Sequence, residues 1–423
     1  MAKYQKVKGT QDFFEKSILK LRYLENTMRR IAKNYGYNEI KTPIFEHTDV
    51  FVRIGDDSDI VTKEMYTFLD KGNRSITLRP EGTAAVVRSY LENKLYAKTS
   101  PMKLFYFGPM FRYERPQAGR YREFHQFGVE VFGKSTPLLD CDVIISANQI
   151  FQELGIKNYH LKINTIGDNE SRKLYSEKLV EYFEEHINHL CSDCKRRINK
   201  NPLRILDCKV DGNNPIIKNA PKIHDFLNQE SKDYFSEVLS ILDYYQVDYI
   251  VDENLVRGLD YYTDLVFEFI IESNDELDGL AFCGGGKYAN LVESFGGMDI
   301  PGIGYAIGVE RLLSIVDSQD GWNDKIENDI DVLIISLDKL SKLKALEIAY
   351  LLRLHNIPTE IDYEHYTMKH QFKLADKLNP KFLIIIGEEE RKNNIVSIKD
   401  NETKVEETIS QEKIISYLKG KLL

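Results

Sequence analysis

Eight consecutive positions, Val256 to Thr263, bring a guanidinium, a carboxylate and two phenols together in the order Val-Arg-Gly-Leu-Asp-Tyr-Tyr-Thr. An arginine presents a rigid fork of N–H donors to a carboxylate or phosphate, and a tyrosine hydroxyl can hydrogen-bond a polar ring. On an extended strand side chains alternate faces, so Arg257, Leu259 and Tyr261 would share one side and Gly258, Asp260 and Tyr262 the other. For Arg257 and Tyr262 to reach one ligand, the backbone near Gly258 must twist or bulge. The competing reading is a plain strand with one salt bridge, two core tyrosines and a structural Asp260.

Three further segments carry chemistry. Leu78-Arg-Pro-Glu-Gly-Thr83 sets Glu81 beside Thr83, a carboxylate and a hydroxyl suited to an ammonium group, although Pro-Glu-Gly is also an ordinary turn. In Phe111 to Gln126, Arg112 on one strand and Phe124 on the next suit the phosphate and the base of a nucleotide, with cross-strand Arg–Glu pairing as the alternative. Gly302-Ile-Gly-Tyr-Ala-Ile-Gly-Val-Glu-Arg311 departs from the dinucleotide fingerprint, because one extra residue precedes its third glycine and no βαβ unit surrounds it. Its glycines would let a strand–helix junction pack closely on a flat ligand, with Arg311 one turn inside the helix.

Cys191-Ser-Asp-Cys194, Cys208, His186 and His189 include the donor types of a zinc site. No clear fourth ligand follows from the spacing, and buried thiols also serve as small apolar groups. The expectation is therefore no metal site.

These segments need a sizeable scaffold, and 423 residues allow two or three domains. Apolar residues make up 42% and charged residues 29%, the balance of a globular chain rather than a disordered one. No apolar run approaches the roughly 20 residues of a membrane span, and the N-terminus lacks the apolar stretch of a secretion signal. Five cysteines without a disulfide-framework spacing fit a reduced, cytoplasmic protein. A net charge of −9 argues against indiscriminate polyanion binding, yet four arginines against one glutamate between Arg112 and Arg122 leave a local +3.

The periodicity predicts a helix over Lys20–Tyr35 and a strand over Asn38–Phe45 containing Pro43. Strands are predicted at Ser75–Leu78, Lys103–Phe107 and Gln126–Phe132. A hairpin is predicted with arms Met110–Arg115 and Tyr121–Glu130, its tip at Pro116-Gln-Ala-Gly119. A helix at Leu138–Leu154 and a strand at Tyr159–Ile166 follow. Residues 171–246 read as a charged, helix-rich insertion, because sheet-like sequence resumes from Tyr249 to Glu268. The fold class is α+β, an antiparallel sheet carrying helices rather than a doubly wound one. Beyond a polar stretch at 323–328, strands at Asp331–Leu337, Pro358–Asp362 and Lys381–Ile386 alternate with helices at Leu340–His355 and Met368–Leu378. Ser410 is placed to cap a last helix, which completes a small α/β domain with right-handed crossovers.

Taken together, the segments resemble the class II aminoacyl-tRNA synthetases, and the histidyl-tRNA synthetase family in particular. Pro43 resembles the proline of that class's motif 1, Phe111-Arg-Tyr-Glu114 its motif 2, and Gly308-Val-Glu-Arg311 its motif 3. Leu255-Val-Arg-Gly-Leu-Asp-Tyr-Tyr262 is similar to a signature specific to the histidine enzymes. Gly284-Gly-Gly-Lys-Tyr288 resembles a family segment that usually reads Gly-Gly-Arg-Tyr-Asp, from which Lys287 and Ala289 depart. The resemblance runs from Gly9-Thr-Gln-Asp12 to the C-terminal domain.

It implies a class II catalytic domain at 1–325 with the helical insertion, and an α/β anticodon-binding domain at 329–423. The implied reaction joins L-histidine to ATP as histidyl-adenylate, then transfers the histidine to the 3′ end of its tRNA. By resemblance, Arg112 and Arg257 are the catalytic cations. Glu81, Thr83, Gln126, Glu130, Tyr261 and Tyr262 join them around histidine, while Arg112, Arg120, Phe124 and Arg311 hold ATP with its Mg²⁺. Arg115 and Gln117 meet the acceptor end of tRNA, and two copies of the chain form a homodimer. The helix Lys369–Asp376 and the Gly387-Glu388 turn resemble the family's anticodon module. Two rivals without the enzyme activity are a regulatory subunit of ATP phosphoribosyltransferase, which would lack the anticodon domain, and a tRNA-sensing domain of the kind fused to kinases.

Overall fold

Leu21, Leu24, Met28 and Ile31 recur at helical spacing, and all four are buried along the helix Lys16–Asn34. That helix lies against a sheet in the computed structural model, which describes residues 4–422 except 54–57, 59, 116–118, 209, 213, 258–260, 320, 321 and 323–329. The chain divides into two compact units, Met1–Asn323 and Asp324–Leu423.

In the first unit the strands are β1 (Asn38–Glu39), β2 (Phe45–His47), β3 (Tyr66–Leu69), β4 (Ser75–Leu78), β5 (Met102–Phe111) and β6 (Glu123–Phe132). They continue as β7 (Tyr159–Thr165), β8 (Tyr249–Val251), β9 (Thr263–Ile271), β10 (Ala281–Tyr288) and β11 (Gly302–Gly308). Eight of them form one sheet in the order β1-β5-β6-β11-β10-β9-β7-β8. Its central pairings are antiparallel, and only the outer pairs β1/β5 and β7/β8 are parallel. A smaller sheet has the order β2-β4-β3.

One face of the large sheet buries Phe105, Phe127, Val129 and Phe267 against the helices Lys16–Asn34, Pro137–Leu154, Gln229–Tyr244 and Val309–Ser318. The helix Pro137–Leu154 is fixed at both ends. Thr136 accepts from the Leu139 N–H at 3.2 Å, and Gly155 ends the helix at φ 73°, a conformation that favours glycine. The other face, with Leu104, Tyr106, Phe132 and Tyr288, packs on the helix Thr83–Glu92 and on the insertion. Between 169 and 246 the described residues are helical or irregular, with long helices Asn169–Glu185 and Gln229–Tyr244 at the ends, as the charged composition predicts.

Two expectations about strands need correction. Residues 38–45 are not one strand. β1 and β2 are separated by residues 40–44, where the Arg79 guanidinium takes the carbonyls of Thr42 and Pro43 and interrupts the strand pairing. Val256, Arg257, Tyr261 and Tyr262 also lie outside any strand, and β9 starts at Thr263. The expected bulge at Gly258, with Leu259 and Asp260, lies outside the described residues.

The second unit has a five-stranded sheet ordered β13-β12-β14-β15-β16, from β12 (Val332–Ser336), β13 (Thr359–Ile361), β14 (Phe382–Ile386), β15 (Ile395–Asp400) and β16 (Glu406–Ser410). β13, β12 and β14 are parallel, whereas β15 and β16 add an antiparallel hairpin that the periodicity did not reveal. The helix Met368–Leu378 is pinned by buried Gln371. Its amide accepts from the Ser336 N–H at 2.9 Å and donates to the Ser336 carbonyl at 2.8 Å. Ser410 makes no capping hydrogen bond. A 3₁₀ turn at Gln411–Lys413 starts the last helix, Ile414–Leu422, instead.

Candidate active site

Glu130 points from near the C-terminal end of β6 into a cleft on the sheet, with 2% of its surface exposed. Its carboxylate is held between two hydroxyls, accepting from Thr83 Oγ1 at 2.7 Å and from Tyr288 Oη at 2.5 Å. Burial pushes the carboxyl up to about 8, and the two hydroxyl bonds only partly offset this. Glu81 lies beside it in the turn between β4 and the helix Thr83–Glu92. Its carboxylate accepts the Thr83 and Ala84 N–H groups at 2.7 Å each, which satisfies two orphan donors of that helix. Burial raises the Glu81 carboxyl as well, against the pull of those N–H groups and of Arg112. Gln126 Oε1 accepts from the Gly82 N–H and the Tyr106 hydroxyl, which fixes its amide at the cleft wall.

Tyr261 and Tyr262 form the next wall, with ring centroids 4.6 Å apart and Tyr261 edge-on to Tyr288 at 5.6 Å. Burial keeps the Tyr262 phenol neutral, and therefore able to donate a hydrogen bond, although Arg257 works in the opposite direction. The Arg172 guanidinium, from the helix Asn169–Glu185, donates to the Tyr262 carbonyl at 2.8 Å and so ties this segment to the insertion.

Cations line the rest of the cleft. Arg112 donates to the Pro80 carbonyl at 2.8 Å and lies 5.2 Å from the Phe124 ring centroid. Arg120 reaches Glu114 at 3.4 Å. Arg311 is anchored by the carbonyls of Gly119 (3.2 Å) and Ala281 (2.5 Å). Burial, helped by Arg120 and Arg112, lowers its guanidinium to about 10. Arg257 is paired with Glu268 of β9, while its Nε is buried without a hydrogen-bond partner among the described residues. Burial is the largest single influence and would lower the Arg257 guanidinium, but Glu268, Tyr262, Tyr261 and Cys283 together turn the balance upward. Two glycines make room: a Cβ at Gly284 would fall 2.4 Å from the Arg257 guanidinium, and one at Gly304 would fall 2.3 Å from Glu130 Oε2.

Every residue expected around histidine or ATP therefore lines this one cleft: Glu81, Thr83, Arg112, Arg120, Phe124, Gln126, Glu130, Arg257, Tyr261, Tyr262 and Arg311. Arg115 is exposed and is not part of the lining, and Gln117 lies outside the described residues. Lys287 points elsewhere, to Asp264 at 3.2 Å and the Tyr234 ring. Three contributors were missed by the sequence reading. Tyr288 bonds Glu130, Glu268 pairs Arg257, and Glu310 accepts the His125 N–H (2.8 Å to Oε2) and meets its ring Nδ1 at 2.9 Å. The cleft is built to receive anions on arginine forks beside a buried polar pocket.

Comparison with known proteins agrees with this chemistry. The family model described as histidyl-tRNA synthetase matches residues 9–312. The chain belongs to the histidyl-tRNA synthetase family. A second model, described as an anticodon binding domain, matches residues 331–421. A histidine–tRNA ligase of Staphylococcus haemolyticus is 46% identical over 418 residues, covering 98% of each chain. One from Staphylococcus aureus strain JH9 is 47% identical over 416 residues, covering 97% of this chain and 99% of its own. The crystal structure of apo histidyl-tRNA synthetase from S. aureus superposes with a TM-score of 0.83 at 41% identity, covering 98% of this chain and all of that one. Like the histidyl-tRNA synthetases it matches, this chain is a class II aminoacyl-tRNA synthetase, with a synthetase core and an anticodon-binding domain. It is an ATP-using ligase that charges tRNA with histidine.

Proposed function

We propose that the cleft activates L-histidine with ATP and hands the acyl group to the 3′ end of the histidine tRNA, with the labour divided among named side chains. A histidine carboxylate oxygen attacks the α-phosphorus, the new O–P bond forms as the bond to pyrophosphate breaks, and no protein base is needed because the nucleophile is already ionised. The difficulty is bringing two anions together. Arg112 and Arg257 relieve it as cationic clamps near the reacting phosphate. The Nε of Arg257, buried and without a hydrogen-bond partner among the described residues, supports this, since an unmet donor costs roughly 1–3 kcal/mol and a phosphate oxygen would satisfy it. Arg311 and Phe124 take the adenine by cation–π and stacking contacts, Arg120 serves the phosphates, and Mg²⁺ arrives with ATP as part of the substrate.

The carrying observation is Glu130, a carboxyl group fixed by two hydroxyls in a buried cleft that Tyr262 also lines. Glu130 and Tyr262 read the two imidazole nitrogens, and an amino acid without them leaves buried polar groups unpaired. Glu81, Thr83 and Gln126 hold the α-ammonium group, and Tyr261 closes the wall. The test is ATP–pyrophosphate exchange with and without histidine, in wild type and in folded Glu130→Ala. Exchange that depends on histidine and vanishes in the variant supports the reading, and near-normal exchange in the variant refutes it. Absence of histidine-dependent exchange in wild type would favour the tRNA-sensing or regulatory rivals, although the anticodon-binding match at 331–421 already counts against the regulatory one.

The same proposal assigns residues 1–325 to catalysis and 329–423 to the anticodon, with Arg115 and Gln117 approaching the acceptor end. Lys369 and Lys373 are exposed on the helix Met368–Leu378, away from the buried Gln371, as a tRNA-facing surface needs. A homodimer is supported by Ile44, Phe45, Phe68 and Leu69, large apolar side chains left exposed on and beside the small sheet. Such a group on a free surface marks an interface. A cytoplasmic setting is supported by the free cysteines and by the absence, among the described residues, of a helix long and apolar enough to cross a membrane.

A further inference from the structure

We propose that Cys191, Cys194, Cys208 and Asp211 bind one zinc-type divalent cation, which fastens the helical insertion beneath the segment carrying Arg257. One donor atom from each of the four lies within 4.8 Å of the other three. The Cys191 and Cys208 sulfurs stand 3.7 Å apart. Thiolates on a tetrahedral zinc, with Zn–S bonds of about 2.3 Å, stand about 3.8 Å apart, whereas a disulfide needs about 2.05 Å.

The backbone is arranged for the same purpose. Cys191-Ser-Asp-Cys194 and Cys208-Lys-Val-Asp211 are two four-residue segments of identical spacing. In each, the N–H of the fourth residue donates to the sulfur of the first, Cys194 to Cys191 at 3.5 Å and Asp211 to Cys208 at 3.4 Å. A third bond joins the two segments, from the Cys191 N–H to Asp211 Oδ2 at 2.8 Å. Bonds of this kind orient ligands and share the charge of metal-bound thiolates. The fourth ligand is Asp211: among the described residues the donor set that converges here contains its carboxylate and no histidine nitrogen.

The site reaches the catalytic cleft through a short path. The helix Leu203–Leu206 ends two residues before Cys208, and its Arg204 donates to the Arg257 carbonyl at 2.8 Å. Cys194, Leu203, Leu206 and Cys208 also share one buried cluster with Val256 and Tyr262. Arg204 is thus a positioning residue, acting through Arg257. The metal site stands independently of the reading of the cleft, and only this link rests on it.

The experiment uses the full chain purified under reducing conditions. Elemental analysis should find about one zinc per chain. Replacement by Co²⁺ should give intense tetrahedral d–d bands with sulfur-to-cobalt charge transfer, a signature that a merely structural cluster of thiols would not produce. Asp211→Asn should weaken metal retention at least about tenfold while the fold, read by circular dichroism, is kept. Folded wild type that takes up neither zinc nor cobalt, or that contains a Cys191–Cys208 disulfide, overturns the site. An unchanged cobalt spectrum in Asp211→Asn overturns the fourth ligand. Arg204→Met should keep the metal and lower kcat for pyrophosphate exchange more than it raises the KM for ATP. Unchanged exchange in that variant overturns the link to Arg257 and leaves the metal site standing.

Discussion

Gly304 and Glu130 face each other on β11 and β6, and the missing side chain of one is the space for the other. A Cβ at Gly304 would approach both Glu130 Oε2 and the Val129 carbonyl to 2.3 Å, and the carbonyl belongs to a paired strand that cannot retreat. Gly304→Ala therefore has to displace the Glu130 carboxylate from the Thr83 and Tyr288 hydroxyls. The expected cost is about 1–3 kcal/mol of overpacking. The expected kinetic outcome is a rise in the KM for histidine of at least about tenfold, with the KM for ATP little changed. Pyrophosphate exchange at varied histidine and varied ATP separates the two, and equal changes in both would show that Gly304 shapes the whole sheet rather than the histidine pocket.

That relationship also shows what a sequence can reveal and what it conceals. The glycine spacing of Gly302 to Gly308 signalled close approach, but the partner was expected to be a flat ligand. In the fold, two of these glycines sit against the chain's own Glu130 and Tyr288. Helices with a single apolar stripe, such as Lys16–Asn34, were legible because burial repeats along the element. β15 and β16 were not, since the edge strand Glu406–Ser410 has three of its five residues exposed and carries no apolar alternation. Arg257 was legible as a chemical group, yet its partner Glu268 was not. A glutamate alternating with Phe267 and Phe269 reads as an ordinary outward position until β10 places Gly284 opposite it. Asp211 escaped for a related reason: its role comes from Cys191, distant in sequence and joined to it only in the fold.

Glu130 gives the protein a pH dependence of known sign. Its carboxyl titrates near 8 in the fold, above its ordinary value near 4.5, so the folded state binds a proton that the unfolded chain has released. Stability from this group is fully present below about 4.5 and is lost as pH rises toward 8, at up to roughly 1.4 kcal/mol per pH unit. Glu130→Gln keeps the shape and removes the titration. The urea midpoint of the variant relative to wild type should therefore move in the variant's favour between pH 6 and pH 8.5. Parallel midpoints across that range would show that Glu130 titrates as an ordinary exposed carboxylate.

Arg257 and Glu268 separate stability from catalysis. The pair is largely buried, with 19% and 21% of the two side chains exposed. Removing Arg257 alone leaves the Glu268 carboxylate without its counter-charge, at an expected cost on the order of 1–3 kcal/mol given that partial exposure. Removing both takes away the stranded charge, so Arg257→Ala/Glu268→Ala should recover part of the lost stability in thermal denaturation. Catalysis should not follow. The clamp on the α-phosphate is gone in both variants, and each should lose about 10²–10³ in the exchange rate. Arg257→Lys should also remain impaired, because an ammonium keeps the charge but not the fork that lets one guanidinium serve Glu268 and a phosphate together. Recovery of exchange in the double variant would show that Arg257 acts only by neutralising Glu268.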